Sequence, residues 1–160
     1  QDRFHGKDME RGDLLEPIAR MKYEFERGVT IREVAFIEYT SRAGYSPDGL
    51  IGEDGLCEIK ARNDTIHLDL LMHDKVDSST IWQMNMGMLC SGRKWCDFVS
   101  YNPNFKNSIY IKRFYPDEEK QEKLEKGIEK GTNMLETMLK DKYVIEEMIH
   151  NEKVKNIGSK

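Results

Sequence analysis

Asp48, Glu58 and Lys60 have the side-chain types and the spacing that metal-dependent cleavage of a phosphodiester requires. The glycines on either side of Glu53 and Asp54 predict a tight hairpin turn, which would bring Asp48 close to Glu58. Two carboxylates at that distance repel each other unless a cation neutralises them, and Mg²⁺ prefers a few carboxylate oxygens together with retained waters. Side chains alternate along a strand, so Lys60 would lie on the same face as Glu58, beside a metal-bound water.

These three residues also have an ordinary structural interpretation. An Asp that follows Pro in a turn is common, and Glu and Lys two positions apart are common on a solvated strand face. The wider pattern favours catalysis, because SPDG at 46–49 is followed, after a gap of hairpin length, by EIK at 58–60 in an otherwise apolar strand. This pattern matches the PD-(D/E)xK nuclease motif.

The chain also resembles the YqaJ-type viral recombinases, the family that includes the phage lambda exonuclease. The resemblance covers roughly residues 11–114 and rests on blocks that occur in the family's order. They are GDLLEPIAR at 12–20, YE at 23–24, SPDG at 46–49, EIK at 58–60, WQMNM at 82–86 and GRKWCDF at 92–98. Together these linked blocks are far more specific than any one of them.

The resemblance implies a magnesium-dependent 5′-to-3′ exonuclease that acts on double-stranded DNA ends, with Mn²⁺ as a substitute ion. Such an enzyme hydrolyses phosphodiester bonds, releases 5′-mononucleotides and leaves 3′ single strands for phage-type recombination by strand annealing. The implied partners are DNA ends, a single-strand annealing protein and two further copies of the chain in a homotrimer. The implied location is the cytoplasm of a bacterium or a phage-infected cell.

The resemblance also implies roles for individual residues. One metal ion would be held by Asp48, Glu58 and the backbone carbonyl of Ile59, while Glu16 assists a second ion or its waters. Lys60 would orient or deprotonate the attacking water. Without the resemblance, Glu16 would be half of an ordinary surface ion pair with Arg20, four residues on.

Four further residues are candidates for work on the substrate. Gln83 matches the family's glutamine that places the nucleophile or the scissile phosphate, although a solvated glutamine is the alternative. Arg62 follows Lys60 closely and would contact a phosphate, although a solvent-facing arginine is equally consistent with the sequence. Arg93 and Lys94 would grip a phosphate backbone from a connection at the end of the sheet, or would only stabilise a helix dipole.

The elements around these residues follow from periodicity and turn signals. Residues 12–27 predict a helix with Pro17 in its first turn, Gly28 after its end and an apolar stripe formed by Leu14, Ile18, Met21 and Phe25. Residues 29–39 predict one long strand. Residues 61–77 are expected to be polar and irregular, with His67 and His73 as surface or packing residues rather than metal ligands.

The second half of the chain predicts a helix over 81–90 with its N-cap within 78–80, strands that end near 101 and 115, and a helix over 117–142. The strand with Glu58, the following helix and the strand with Val99 favour a right-handed parallel crossover. The expected fold is therefore α/β, with a mixed central sheet flanked by helices, which agrees with the restriction-endonuclease-like fold that the resemblance implies. It would form a single nuclease domain over 1–160, with a core at about 11–142 and a weak helix and polar tail at 143–160.

Composition excludes several classes of protein. No run of 18 apolar residues exists, so no membrane span is expected. The three cysteines cannot supply the four that hold an iron-sulfur cluster in some related nucleases, and they are expected to be reduced core thiols. The net charge is −4, but residues 58–115 carry 8 basic and 6 acidic side chains and form the only net-positive third. That excess supports DNA binding weakly.

The first residue is Gln1 rather than Met, so an upstream portion is expected; family members usually carry a further N-terminal segment with basic residues. Two rival functions share the same residues. One is an endonuclease or junction resolvase of the same superfamily, which would differ only in the topology of its substrate. The other is a non-catalytic DNA-end-binding domain, against which the intact acidic positions and Lys60 argue.

Overall fold

The computed structural model describes the backbone of residues 7–157 and, within it, the side chains of 11, 12, 14–148 and 150. The elements are α1 (Lys7–Arg27), β1 (Ile31–Arg32), β2 (Ile37–Thr40), β3 (Ala43–Tyr45), β4 (Gly49–Ile51), β5 (Gly55–Lys60), α2 (Asp64–His73), α3 (Ser78–Ser91), β6 (Trp95–Tyr101), β7 (Ile109–Phe114) and α4 (Glu118–Ile157). The chain divides into two compact units after Gln121. The prediction of a single nuclease domain over 1–160 stays a prediction.

A five-stranded mixed sheet carries the predicted site. Its strand order is β1-β4-β5-β6-β7, and a separate two-stranded sheet pairs β2 with β3. β5 and β6 are parallel, whereas the other pairs in the large sheet are antiparallel. The parallel crossover predicted between Glu58 and Val99 is therefore confirmed, and α2 and α3 both lie within the connection.

Each face of the large sheet covers its own apolar cluster. One cluster contains Ala19, Tyr23, Ile31, Ile51, Cys57, Ile59, Val99 and Tyr101. The other contains Leu50, Leu56, Leu70, Val76, Met84, Met88, Cys96 and Phe98. The central strands β5 and β6 contribute to both clusters, as expected of strands that are covered on both faces. Cys57, Cys90 and Cys96 are free and buried.

Helix α1 begins at Lys7, so Pro17 lies inside the helix. The prediction that Pro17 lies in the first turn is therefore wrong. A proline there removes one hydrogen bond of the helix. Gly28 follows the helix with a φ of +62°, as predicted. The apolar stripe is not the buried face, because Phe25 is 86% exposed. Ala19 and Tyr23 are buried instead, so α1 packs through a small residue and a tyrosine that hydrophobic periodicity did not select.

The single long strand predicted over 29–39 is wrong. β1 pairs with β4 in the large sheet, whereas β2 pairs with β3 in the small one. β-branched and aromatic residues fit either pleated surface, so their enrichment could not locate the break between the two strands. At that break the hydroxyl of Ser46 donates a hydrogen bond to the carbonyl of Ala35.

The irregular segment predicted over 61–77 is also wrong, because it contains α2. The Asn63 side chain accepts a 3.0 Å hydrogen bond from the amide of Ile66 at the start of this helix, and Asp74 ends it in the left-handed conformation. His67 is fully buried on α2, where its ring nitrogens lie 2.9 Å from Ser100 Oγ and from the carbonyl of Asn107. A buried polar residue interrupts the apolar periodicity by which a helix is recognised.

The last two helices extend beyond their predicted bounds. α3 is capped by Asp77, whose carboxylate accepts from the amide of Thr80, and Gly92 ends it with a φ of +67°. α4 runs through residue 142 to Ile157 and so includes residues 143–157 of the segment expected to be a weak helix and polar tail; residues 158–160 lie outside the described part. Within the described residues, no helix combines the length and the apolar character that crossing a membrane requires.

Candidate active site

Asp48 lies in the turn that leads into β4, and hydrogen bonds hold it at both its side chain and its backbone. Its Oδ2 atom accepts a 2.6 Å hydrogen bond from the amide of Ile59. Its carbonyl accepts a 2.7 Å hydrogen bond from Arg20 Nη2 on α1. Gly49 follows, and a Cβ atom there would lie only 2.0 Å from Ile31 Cγ2. The close approach of β1 therefore requires glycine directly after Asp48.

Glu58 lies on β5 and is only 1% exposed. Its Oε2 atom accepts a 2.7 Å hydrogen bond from the hydroxyl of Tyr45. Its Oε1 atom is buried and accepts no hydrogen bond from the described part of the chain, although Lys60 Nζ forms an ion pair with it at 2.5 Å. The ammonium of Lys60 thus lies close to Oε1, but at an angle unsuitable for a hydrogen bond. This carboxylate therefore has one oxygen bound by a neutral donor and one oxygen paired with a cationic side chain.

The two carboxylates influence each other. Burial, and then the negative charge of Glu58, raise the pKa of Asp48 to about 6. The hydrogen bond from Ile59 and the charge of Lys60 act in the opposite direction, and Glu16 adds to the increase. A carboxylate that is desolvated beside another negative charge favours a proton or a metal cation. The structure thus brings Asp48, Glu58 and Lys60 together, as the sequence predicts.

Glu16 joins this group through Arg20. The Glu16 carboxylate lies 3.3 Å from Arg20 Nη2, the same nitrogen that donates to the carbonyl of Asp48. Glu16 therefore forms the i,i+4 ion pair with Arg20. It also lies close enough to the site for its charge to raise the pKa of Asp48. Among the described residues, no three or more His, Cys, Asp or Glu side chains are grouped closely enough to hold a metal ion by themselves.

Tyr45 is the residue of the site that the sequence analysis missed. It ends β3, three residues before Asp48, and its hydroxyl reaches Glu58. Burial and the charge of Glu58 raise the pKa of this phenol well above its ordinary value. A tyrosine beside a turn motif has many ordinary packing roles, so its type and position carried no signal by themselves.

Gln83 lies on α3, four residues before Gly87 and thus on the same side of the helix. Gly87 touches the ring of Tyr45, because a Cβ atom there would lie 2.7 Å from Tyr45 Cε1. Gln83 is half-buried, and its side chain forms no hydrogen bond with any other described residue. The amide group is therefore free to bind a ligand from the side of the helix that Tyr45 contacts.

Arg62 is partly engaged within the protein. Its Nη2 atom lies 2.7 Å from Asp77 Oδ2 and donates a 2.9 Å hydrogen bond to Thr80 Oγ1. Its Nε atom is buried and has no hydrogen-bond partner among the residues that the structure describes. The residue follows Lys60 by two positions, so it lies just beyond the carboxyl end of β5.

Arg93 and Lys94 lie at the other end of the same strand. Nη1 of Arg93 donates to the carbonyls of Gly52 and Gly55, at 3.0 and 2.8 Å, and Lys94 forms an ion pair with Asp54 at 3.0 Å. β6 starts opposite Gly55, whereas Lys60 pairs with Ser100. A strand rises about 3.3 Å per residue, so roughly 16 Å of strand separates Lys60 from this end of the sheet. Both basic residues secure the turn between β4 and β5.

Comparisons with known proteins identify the family and the fold of the chain. The family model of the YqaJ-like viral recombinase domain matches residues 1–94. The crystal structure of an alkaline exonuclease, LHK-Exo from Laribacter hongkongensis, is 36% identical in sequence, with a TM-score of 0.78 over 82% of this chain and 70% of that chain. LHK-Exo in complex with dAMP is 35% identical, with a TM-score of 0.78 over 84% of this chain and 71% of the other. None of the curated proteins matches the chain.

These similarities confirm two predictions. The structural neighbours are alkaline exonucleases of the PD-(D/E)xK fold, so the α/β fold with a mixed central sheet is the expected one. The family model spans more than half of the chain and includes the Ser-Pro-Asp-Gly turn, β5 and α3. The chain belongs to the YqaJ-like viral recombinase domain family.

Proposed function

We propose that this chain is a metal-dependent deoxyribonuclease that removes nucleotides from the ends of double-stranded DNA. One observation carries the proposal: Asp48 is bonded to the backbone of β5 directly beside the buried Glu58, with Lys60 against the free oxygen of Glu58. A structural ion pair between Glu58 and Lys60 does not need a second, half-buried carboxylate beside it. Two carboxylates and a lysine in this arrangement suit phosphodiester hydrolysis assisted by a divalent cation.

The donor set fits Mg²⁺, with Mn²⁺ as a substitute. Asp48 and Glu58 would hold the ion, Glu58 through the Oε1 atom that has no hydrogen-bond partner among the described residues. The amide and carbonyl of one strand residue point to the same side, so the carbonyl of Ile59 faces Asp48 and is a third donor. Glu16 would bind water around the ion. Mg²⁺ commonly uses one or two carboxylates and takes its other ligands from water and phosphate.

A bound ion would supply positive charge to the phosphate and would lower the pKa of a coordinated water. The side chains of the chain supply the remaining functions. Lys60 lies where its ammonium can orient the attacking water and hold or transfer its proton. Gln83 offers an amide to the water or to the scissile phosphate. Arg62 would contact a phosphate, because it is the basic candidate at the same end of β5 as Lys60.

The finer features of the reaction rest on the family. We propose 5′-to-3′ polarity, release of 5′-mononucleotides and production of 3′ single strands for strand annealing. LHK-Exo has been crystallised with dAMP, a mononucleotide, which supports a product of this class. A homotrimer, a single-strand annealing protein as partner and a location in the cytoplasm of a bacterial or phage-infected cell belong to the same proposal. Arg93 and Lys94 remain candidate contacts for DNA at the far end of the sheet.

The experiment that tests this function compares linear duplex DNA bearing 5′-phosphates with covalently closed circles, with and without Mg²⁺. The wild-type protein is expected to digest only the linear DNA and to release 5′-mononucleotides. Glu58→Ala and chelation are each expected to stop digestion. Glu122→Ala is the matched control, because Glu122 forms an exposed ion pair with Lys126 on α4.

Two results would contradict the proposal. Cutting of closed circles would establish an endonuclease or a junction resolvase. If the folded protein, supplied with Mg²⁺, binds DNA ends but cleaves neither the linear DNA nor the circles, it is a non-catalytic end-binding domain.

A further inference from the structure

Tyr45 connects the small two-stranded sheet to the candidate site. It is the last residue of β3, and its hydroxyl donates a 2.7 Å hydrogen bond to Glu58 Oε2 on the large sheet. Glu58 is almost fully buried, so its orientation depends on protein groups rather than on water. None of the roles assigned so far to the site residues requires a tyrosine here.

The ring of Tyr45 is held from behind by α3. A Cβ atom at Gly87 would lie 2.7 Å from Cε1 and 3.0 Å from Cζ of the ring. The ring therefore packs against helix backbone that only glycine leaves accessible. α3 also contacts β2 and β3, the strands of the small sheet that carries Tyr45.

The hydrogen bond makes the two oxygens of Glu58 unequal. Oε2 accepts from Tyr45, whereas Oε1 accepts no hydrogen bond from any described residue and forms an ion pair with the ammonium of Lys60. The same short segment binds β5 twice, since Tyr45 reaches residue 58 and Asp48 reaches the amide of residue 59. The segment 45–48 thus sets the relation between the two carboxylates.

We propose that Tyr45 is a positioning residue, which holds Glu58 by Oε2 and so presents Oε1 to a divalent cation. The inference rests on the proposed metal-dependent function and adds a residue to it. A tyrosine that served packing alone would contribute to stability and would leave metal affinity unchanged. A positioning residue changes metal affinity more than it changes the rate at saturating metal.

The test is titration calorimetry of Mn²⁺ into the DNA-free protein, with Tyr45→Phe beside the wild type. We expect the dissociation constant to rise about tenfold, because the variant loses a hydrogen bond to a charged acceptor. The Mg²⁺ concentration for half-maximal cleavage is expected to rise by the same factor. Cleavage at saturating Mg²⁺ is expected to fall less than about threefold, since this loss is confined to metal binding.

Tyr110→Phe is the matched control. Its hydroxyl also donates to a carboxylate, that of Asp74, at 2.5 Å, but on β7 away from the site. It is expected to bind Mn²⁺ like the wild type. Gly87→Ala is a second, independent variant, because the added methyl group must displace the ring of Tyr45. It is expected to weaken Mn²⁺ binding in the same direction, and it decides the question if Tyr45→Phe does not fold.

The outcomes separate the inference from the function on which it rests. If the wild type binds no Mn²⁺, the metal-dependent function fails and the inference fails with it. If the wild type binds Mn²⁺ and Tyr45→Phe binds it within twofold as tightly, the function stands and the inference is overturned. If Tyr45→Phe cannot be measured and folded Gly87→Ala binds Mn²⁺ as tightly as the wild type, the inference is also overturned.

Discussion

The carboxylate of Asp48 is bonded to the amide of Ile59, one residue beyond Glu58, at 2.6 Å. β4 pairs with β5 only as far as Cys57, so this side chain continues the pairing where the backbone ladder stops. The distance between the two carboxylates is therefore set by the sheet and not by two flexible side chains. A site arranged in this way is preorganised for a cation before any substrate arrives.

Asp48→Asn is expected to stabilise the metal-free protein at neutral pH. The pKa of Asp48 is raised from 3.8 to about 6, so the folded state binds the proton more tightly than the unfolded state. That contribution to stability is fully present below about pH 4 and is lost as the pH rises through 6. The ionised carboxylate then costs about 2 to 3 kcal/mol, a cost that the neutral amide avoids.

Calorimetric melting in a chelator checks this prediction. The Tm difference between Asp48→Asn and the wild type should be small at pH 4 and should grow towards pH 7. Asp141→Asn on α4, an exposed position, is the control and should show no such growth. A Tm difference that is the same at both pH values would contradict the assigned shift.

Lys60→Met is expected to remove most cleavage without weakening metal binding. The ammonium of Lys60 lies 2.5 Å from Glu58 Oε1, so a cation and Lys60 compete for one oxygen. Cleavage should fall about 10²- to 10⁴-fold if Lys60 transfers or orients a proton. Mg²⁺ affinity, measured by calorimetry, should stay the same or increase. Lys126→Met is the control for loss of a lysine, and parallel loss of metal binding and cleavage in Lys60→Met would refute the assignment.

Arg20→Met is expected to disorganise the turn that carries Asp48. The variant loses the 2.7 Å hydrogen bond to the Asp48 carbonyl and the contact with Glu16. The free energy of unfolding should fall by about 1 to 3 kcal/mol, and the rise in Tm on adding Mg²⁺ should shrink. Arg27→Met, at the exposed end of the same helix, should change neither quantity. An undiminished response to Mg²⁺ would show that Asp48 does not depend on Arg20.

Arg113→Met is expected to destabilise the fold through Asp97. This aspartate is fully buried and accepts bonds from Arg113 at 2.7 and 2.9 Å and from Tyr23 at 2.8 Å. Removing the arginine leaves a buried charge with one neutral donor, which costs about 2 to 4 kcal/mol. Urea denaturation measures the loss. Lys112→Met, one position earlier on β7, breaks an exposed pair with Asp74 and should cost under about 1 kcal/mol.

The sequence predicted the parts of the molecule that depend on local pattern. Glycines at 28 and 92 locate the ends of α1 and α3, because both adopt a positive φ that other residues avoid. The hairpin between β4 and β5 follows from its turn residues, and it brings Asp48 to Glu58. These features are decided by a few neighbouring residues.

The predictions were wrong where contacts between residues far apart in the sequence determine which side chains are buried. The apolar stripe of α1 is exposed while Tyr23 is buried, because the tyrosine is bound by Asp97 from a strand that lies far away in the sequence. His67 is buried for a similar reason, through Ser100 and Asn107. Tyr45 belongs to the same class, since its role depends on the glycine at 87. Residue type alone does not indicate which distant residues a side chain will contact.

The amide of Ile59 is an internal reporter of the site. Its proton is donated to a carboxylate, whereas amides of a regular ladder are donated to carbonyl oxygens. Protonation of Asp48, or a cation bound to it, changes the acceptor and therefore the magnetic environment of that one proton. In a ¹⁵N-labelled sample, a single backbone resonance would follow the charge state of the site without any substitution in the protein.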